Sequence, residues 1–139
     1  AAVLASIAEA VDGHDVVMYT KVGCPYCQRA SALLQKQQDG RSSTQSGFSV
    51  FSSPGTDPEI RAALAHSISV ASVTFPVVFI GGIFAGGADD LVELVELGEF
   101  NRLLQATRAG PFRAGAYLWL RRTSSVARWL FYLKSSVSK

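Results

Sequence analysis

The segment Cys24-Pro25-Tyr26-Cys27 holds the chain's only two cysteines, and its surroundings constrain the fold more than anything else in the sequence. An apolar run, Val16-Val17-Met18-Tyr19, precedes it and reads as a buried strand, while Gln28 to Gln38 continues it in a helical pattern. A Cys-x-x-Cys between strand and helix is the arrangement of a thiol–disulfide site. The first turn of a helix leaves N–H groups unpaired, and the aligned peptide dipoles place partial positive charge there. A sulfur at the N-cap, here Cys24, has its thiol pKa lowered by that charge. Pro25 falls at the first helical position, where its missing N–H costs nothing. Cys24 is therefore expected as the attacking thiolate. Cys27, one turn on and more shielded, is the resolving thiol. Lys21 adds a positive charge beside the pair.

Zinc is the competing use of such a pair. It needs about four ligands, and only His14 and His66 are further candidates of the preferred nitrogen or sulfur type, at no recognisable ligand spacing. No metal is expected. A structural disulfide closing a two-residue loop would restrain little chain.

The rest of the chain reads as alternating elements. Val3-Leu4, Ile7-Ala8 and Val11 recur at helical spacing over 2–11, with Gly13 as the stop. Helix 25–38 turns Ala30, Leu33 and Leu34 inward. A polar loop, Asp39 to Gly47, leads to a second strand at Phe48-Ser49-Val50-Phe51. Asp57-Pro58-Glu59 starts a helix to about His66, with an acidic N-cap and Pro at the first position. Strands at 76–80 and 83–85 flank the Gly81-Gly82 turn. Helices follow at 91–97 and around Phe100, Leu103 and Leu104. The order α-β-α-β-α-β-β-α-α predicts an α/β fold, a four-stranded mixed central sheet flanked by helices.

Two further clusters carry chemistry. Thr74-Phe75-Pro76 precedes a buried strand. A cis bond before Pro76 would expose the Phe75 backbone to an extended peptide, although an ordinary strand boundary is the commoner reason for a Pro there. In Gly86-Gly87-Ala88-Asp89-Asp90, glycines permit close approach and the following helix start can hold a carboxylate. Asp89 is the expected N-cap and an acceptor for a ligand ammonium. Together the three clusters describe a ligand with a thiol, a peptide backbone, a carboxylate at each end and an α-amino group. Glutathione has those groups.

On these residues, in this order and spacing, the chain resembles a dithiol glutaredoxin of the thioredoxin-fold superfamily over about residues 10–108. The resemblance implies a glutathione-dependent reductase of protein–glutathione mixed disulfides and of small disulfides. Cys24 would carry glutathione as a mixed disulfide, attacked in turn by a second glutathione or by Cys27. Lys21 would meet the glycine carboxylate, and Phe75, beside a cis Pro76 and next to Thr74, would pair with the cysteinyl backbone. Gly87, Ala88 and Asp89 would hold the γ-glutamyl end, with Tyr26 at the rim. Glutathione is thus expected as co-substrate and glutathionylated proteins as partners. Some glutaredoxins hold an iron–sulfur cluster, which is an alternative reading that Pro25 opposes by stiffening the loop. Phe75 stands where the family usually has Val, and its bulk is expected to narrow the groove. Ala85 replaces a larger apolar residue, and the 39–47 loop is long.

Charge divides the chain. Residues 1–108 carry seven basic and eleven acidic residues, a net of −4, whereas 109–139 carry six basic and none acidic, a net of +6. The expectation is a domain at 1–108 and a basic amphipathic extension at 109–139. Within the extension, Phe112, Ala116, Trp119, Thr123, Val126, Leu130, Leu133 and Val137 recur at helical steps. Such a segment can pack on the domain, lie on an anionic membrane surface or bind a partner protein, the last two amounting to a tethered adaptor. Nucleic acid is not expected as a partner, because the domain is acidic. No run approaches the ~20 apolar residues of a membrane span. The start lacks the basic region of a secretory signal, so a cytoplasmic location is expected. An organelle is the alternative, since the chain does not begin with Met.

Overall fold

The computed structural model describes residues 2–109. The amphipathic pattern at 112–137 lies outside the described residues. Nine elements follow in the expected order: α1 (Ala2–Gly13), β1 (Val16–Thr20), α2 (Pro25–Asp39), β2 (Val50–Pro54), α3 (Pro58–Ser67), β3 (Val77–Ile80), β4 (Ile83–Gly86), α4 (Ala88–Glu96) and α5 (Glu99–Ala109). The sheet runs β2-β1-β3-β4. β1 pairs parallel with β2 and antiparallel with β3, and β3 pairs antiparallel with β4.

Side chains of β1 alternate between two cores, as strand geometry requires. Val16 and Met18 join Ala30, Leu34, Leu91, Leu94, Phe100 and Leu103, so α2, α4 and α5 cover that face. Val17 and Tyr19 join Ile7, Val11, Leu64, Ile68 and Phe75, so α1 and α3 cover the other. A strand buried on both faces has no polar alternation, and Val16-Val17-Met18-Tyr19 shows none.

Two element starts differ from expectation by two residues or more. β2 begins at Val50, not Phe48, because the ladder with β1 starts at Val16 opposite Val50. Just upstream, Ser49 is tied to the residue before β1: its N–H donates to Asp15 Oδ2 at 2.9 Å and its Oγ accepts the Asp15 N–H at 3.0 Å. The Phe48 ring is drawn into the core edge-on to Phe100, 5.4 Å away. An aromatic residue at this place looks like the start of a strand, but its ring is spent on a core contact. α4 begins at Ala88 rather than Leu91, three residues early. Its apolar pattern is only visible from Leu91 onward, while its cap is made by the glycines and acids before it.

Candidate active site

Cys24 caps α2 from extended backbone (φ −98, ψ 107), with Pro25 at the first helical position. Its Sγ accepts the Cys27 N–H at 3.2 Å. Its thiol also points to the Phe75 carbonyl oxygen at 3.7 Å, joining two segments 51 residues apart in sequence. The Phe75–Pro76 peptide bond is cis. The strand-to-helix turn and the start of β3 thus meet at one sulfur.

The two cysteines differ electrostatically. Burial pushes the Cys24 thiol up, but hydrogen bonds from Cys27, the Lys21 charge and the Tyr26 N–H outweigh it, and its pKa lies below the ordinary value. Cys27 is pushed up to about 11 by burial and by the Cys24 sulfur beside it. Accessibility does not separate them as expected. Both residues are almost fully buried, Cys24 at 2 % exposure and Cys27 at 5 %. Burial raises both thiols, and cap position decides how far it is offset: the sulfur at the N-cap receives N–H groups, whereas the one a turn later has its own N–H committed to its neighbour.

Beside the cysteines lies a groove of about 270 Å³, lined by Tyr26, Thr74, Phe75, Pro76, Gly87, Ala88, Asp89 and Asp90. Seven of the eight binding positions expected from sequence line it. The eighth, Lys21, does not, though its charge reaches Cys24. Asp89 is not the cap of α4. Gly87 occupies that position, and its N–H is held by the Asp90 carboxylate at 3.0 Å. A carboxylate three residues after the cap reaches back to the cap N–H, as in a capping box, which frees Asp89 for the surface. Gly86 has φ +98, and a Cβ there would run into the Asp90 carboxyl, so only glycine fits.

The Phe75 ring does not narrow the groove as expected. Phe75 is 8 % exposed, and its ring fills the space where a Cβ on Gly55 would stand 2.7 Å from it, beside Tyr19 and Leu64. Its bulk is taken up by the core. Arg61 of α3 lies over the same ring, 5.3 Å from its centroid. Arg29 of α2 lies 5.8 Å from the Tyr26 ring centroid and pairs with Asp89 at 3.4 Å. Sequence reasoning assigns no site role to Asp90, Arg61, Arg29 or Gly55. The cap logic, a Gly followed three residues later by Asp, could have found Asp90, while the other three owe their positions to contacts between distant segments. Among the described residues, no group of three or more His, Cys, Asp or Glu side chains is placed to hold a metal ion, and no helix is long and apolar enough to cross a membrane.

The glutaredoxin family model matches residues 16–42, which include both cysteines. The glutaredoxin of Pseudomonas aeruginosa is 40% identical over 91 residues, spanning 66% of this chain and 96% of that protein. The chain belongs to the glutaredoxin family. Glutaredoxin 1 of Rickettsia bellii is 33% identical over 92 residues, spanning 66% of this chain and 88% of that protein. Among solved structures, the holo form of glutaredoxin C1 from Populus tremula x tremuloides matches with a TM-score of 0.61 at 32% identity, over 77% of this chain and 99% of that one. A buckwheat glutaredoxin–glutathione complex matches with a TM-score of 0.61 at 25% identity, over 78% of this chain and 92% of that one. The sheet and its flanking helices are the thioredoxin fold of this family. Thiol–disulfide oxidoreductase activity is the glutaredoxin chemistry, and the free Cys24 and Cys27 are spaced for it.

Proposed function

We propose that this glutaredoxin reduces protein–glutathione mixed disulfides and small disulfides with glutathione as electron donor. The observation that carries the reading is the convergence of the Cys24 sulfur, the Phe75 backbone and the α4 start around one groove. The similar buckwheat glutaredoxin, solved as a glutathione complex, supports it.

The Cys24 thiolate attacks the glutathione sulfur of a mixed disulfide. The protein sulfur leaves as thiolate and takes a proton, and Cys24 now carries glutathione. A second glutathione thiolate attacks the glutathione sulfur of that disulfide, giving glutathione disulfide and regenerating the Cys24 thiolate. Alternatively Cys27 attacks Cys24 Sγ, releasing glutathione and leaving a Cys24–Cys27 disulfide. The order of these steps has an electrostatic basis. Part of what keeps Cys27 protonated is the Cys24 sulfur itself. Once that sulfur is in a mixed disulfide its negative charge is gone, so Cys27 ionises more readily when it is needed.

The groove divides the substrate among its walls. The Phe75 backbone pairs with the cysteinyl unit, with Thr74, Pro76 and Tyr26 around it. Lys21 meets the glycine carboxylate. Gly87, Ala88 and Asp89 take the γ-glutamyl end, where the α4 N-terminus favours an anion.

Turnover of a glutathione mixed disulfide, coupled to NADPH through glutathione reductase, tests this. Cys24→Ser should abolish turnover. Cys27→Ser should retain mixed-disulfide reduction and lose the dithiol route. Full turnover in Cys24→Ser would refute the assignment.

A further inference from the structure

The ion pair between Arg29 and Asp89 joins the two walls of the groove's γ-glutamyl end. Arg29 projects from α2, five residues past the nucleophile, while Asp89 sits in the first turn of α4. The Arg29 guanidinium touches both walls: its Nη2 is 3.4 Å from Asp89 Oδ1, and its carbon is 5.8 Å from the Tyr26 ring centroid. Tyr26 and Asp89 both line the groove. Both charged side chains are open to solvent, at 53% and 81% exposure. The separation is longer than the ~2.7–2.9 Å of a tight charge-assisted hydrogen bond. An exposed pair of this kind contributes little to stability. It is therefore a pair that a ligand can exchange.

An α-amino-acid end carries an ammonium and a carboxylate on one carbon, the complement of a neighbouring carboxylate and guanidinium. With Asp89 taking the ammonium, as the glutathione reading already has it, we propose that Arg29 completes the recognition of this zwitterion by taking its carboxylate. Arg29 is then a specificity-determining residue, one that a helix N-terminus alone does not supply. Backbone N–H groups at the start of α4 attract any anion. The Arg29–Asp89 pair instead demands both charges of the ligand, and swaps one internal ion pair for two with the ligand. The inference rests on the glutathione reading of this groove.

The test uses the full chain carrying Cys27→Ser, so that only the glutathione route operates. Turnover is measured on mixed disulfides of one thiol with glutathione and with two analogues, one lacking the α-carboxylate and one lacking the α-amine. Arg29→Gln should raise KM for the glutathione substrate about two- to fivefold, the size of an exposed ion pair, with kcat little changed. The loss on the analogue without the carboxylate should be distinctly smaller. Asp89→Asn should show the matching pattern for the analogue without the amine, and Arg29→Lys should recover part of the loss. The pH profile of Cys24 alkylation should not move in Arg29→Gln, which separates ligand recognition from an effect on the thiolate. Equal losses on glutathione and on the carboxylate-free analogue, or no loss on either, would overturn the proposal. A parent protein that turns over all three substrates equally would instead overturn the glutathione reading of the groove.

Discussion

Gly55→Ala tests how a ring at position 75 is accommodated without crowding the groove. The added Cβ would stand 2.7 Å from the Phe75 ring edge, 3.1 Å from Tyr19 Cβ and 3.2 Å from Leu64 Cδ1. The first contact is closer than real Cβ atoms approach, and the ring is buried, so it has no solvent to swing into. Overpacking of this kind costs about 1–3 kcal/mol. For a domain of this size each kcal/mol lowers Tm by about 4–8 °C. Phe75→Val alone loses buried ring carbons. Phe→Ala changes cost about 3–5 kcal/mol, and Val keeps two carbons at about 0.8 kcal/mol each, so the loss is about 1.5–3.5 kcal/mol. The double variant carries the argument. With the ring gone, the methyl added at position 55 enters vacated space, and only the milder contacts with Tyr19 and Leu64 remain. Gly55→Ala should then cost about 1–2 kcal/mol less in the Phe75→Val background than in the parent, a coupling above the ~0.5 kcal/mol expected of independent sites. Urea unfolding of the four reduced proteins measures it. Equal costs of Gly55→Ala in both backgrounds would show that the ring does not occupy the space beside Gly55.

Other outcomes follow from the site. Because the Cys24 pKa is lowered, its alkylation by iodoacetamide should fall off only below the pH at which an ordinary thiol, near 8.5, has already lost its thiolate. Lys21→Gln should move that profile upward, and Cys27, at about 11, should stay unmodified near neutrality. Gly86→Ala should destabilise by about 1–3 kcal/mol through its positive φ. It should also displace Asp90 from the Gly87 N–H, raising KM for glutathione-linked substrates. Asp57→Ala removes the oxygen that receives the Glu59 and Ile60 N–H groups at 2.9 and 3.3 Å. It should cost about 0.5–2 kcal/mol in urea unfolding and leave turnover unchanged.

What can be read from sequence is local. Cys24, Pro25, Asp57 and Pro58 mark helix starts through short-range capping and backbone rules, and the structure has both helices where those residues put them. Apolar runs mark β1 and β3, because a strand buried on both faces leaves no ambiguity of pattern. The start of β2 departs from the sequence expectation because Phe48 is apolar for the sake of Phe100, 52 residues away, which no local pattern encodes. The cap of α4 departs from it too: sequence points to Asp89, whereas Gly87 and Asp90 share the work, since two adjacent acids look alike until one reaches back to a backbone N–H. Phe75 suggests crowding for the same reason: Gly55 lies 20 residues upstream, and only folding brings it under the ring. Cap position decides how far burial is offset at each thiol.

The most direct test is to trap the first intermediate. Incubating the Cys27→Ser protein with a glutathione mixed disulfide and mapping its peptides by mass spectrometry should find glutathione bound to Cys24, released again by added glutathione with formation of glutathione disulfide. A fully folded, reduced protein whose Cys24 is alkylated readily yet never acquires glutathione would contradict the account, because the nucleophile would then be intact and the groove would not be a glutathione site.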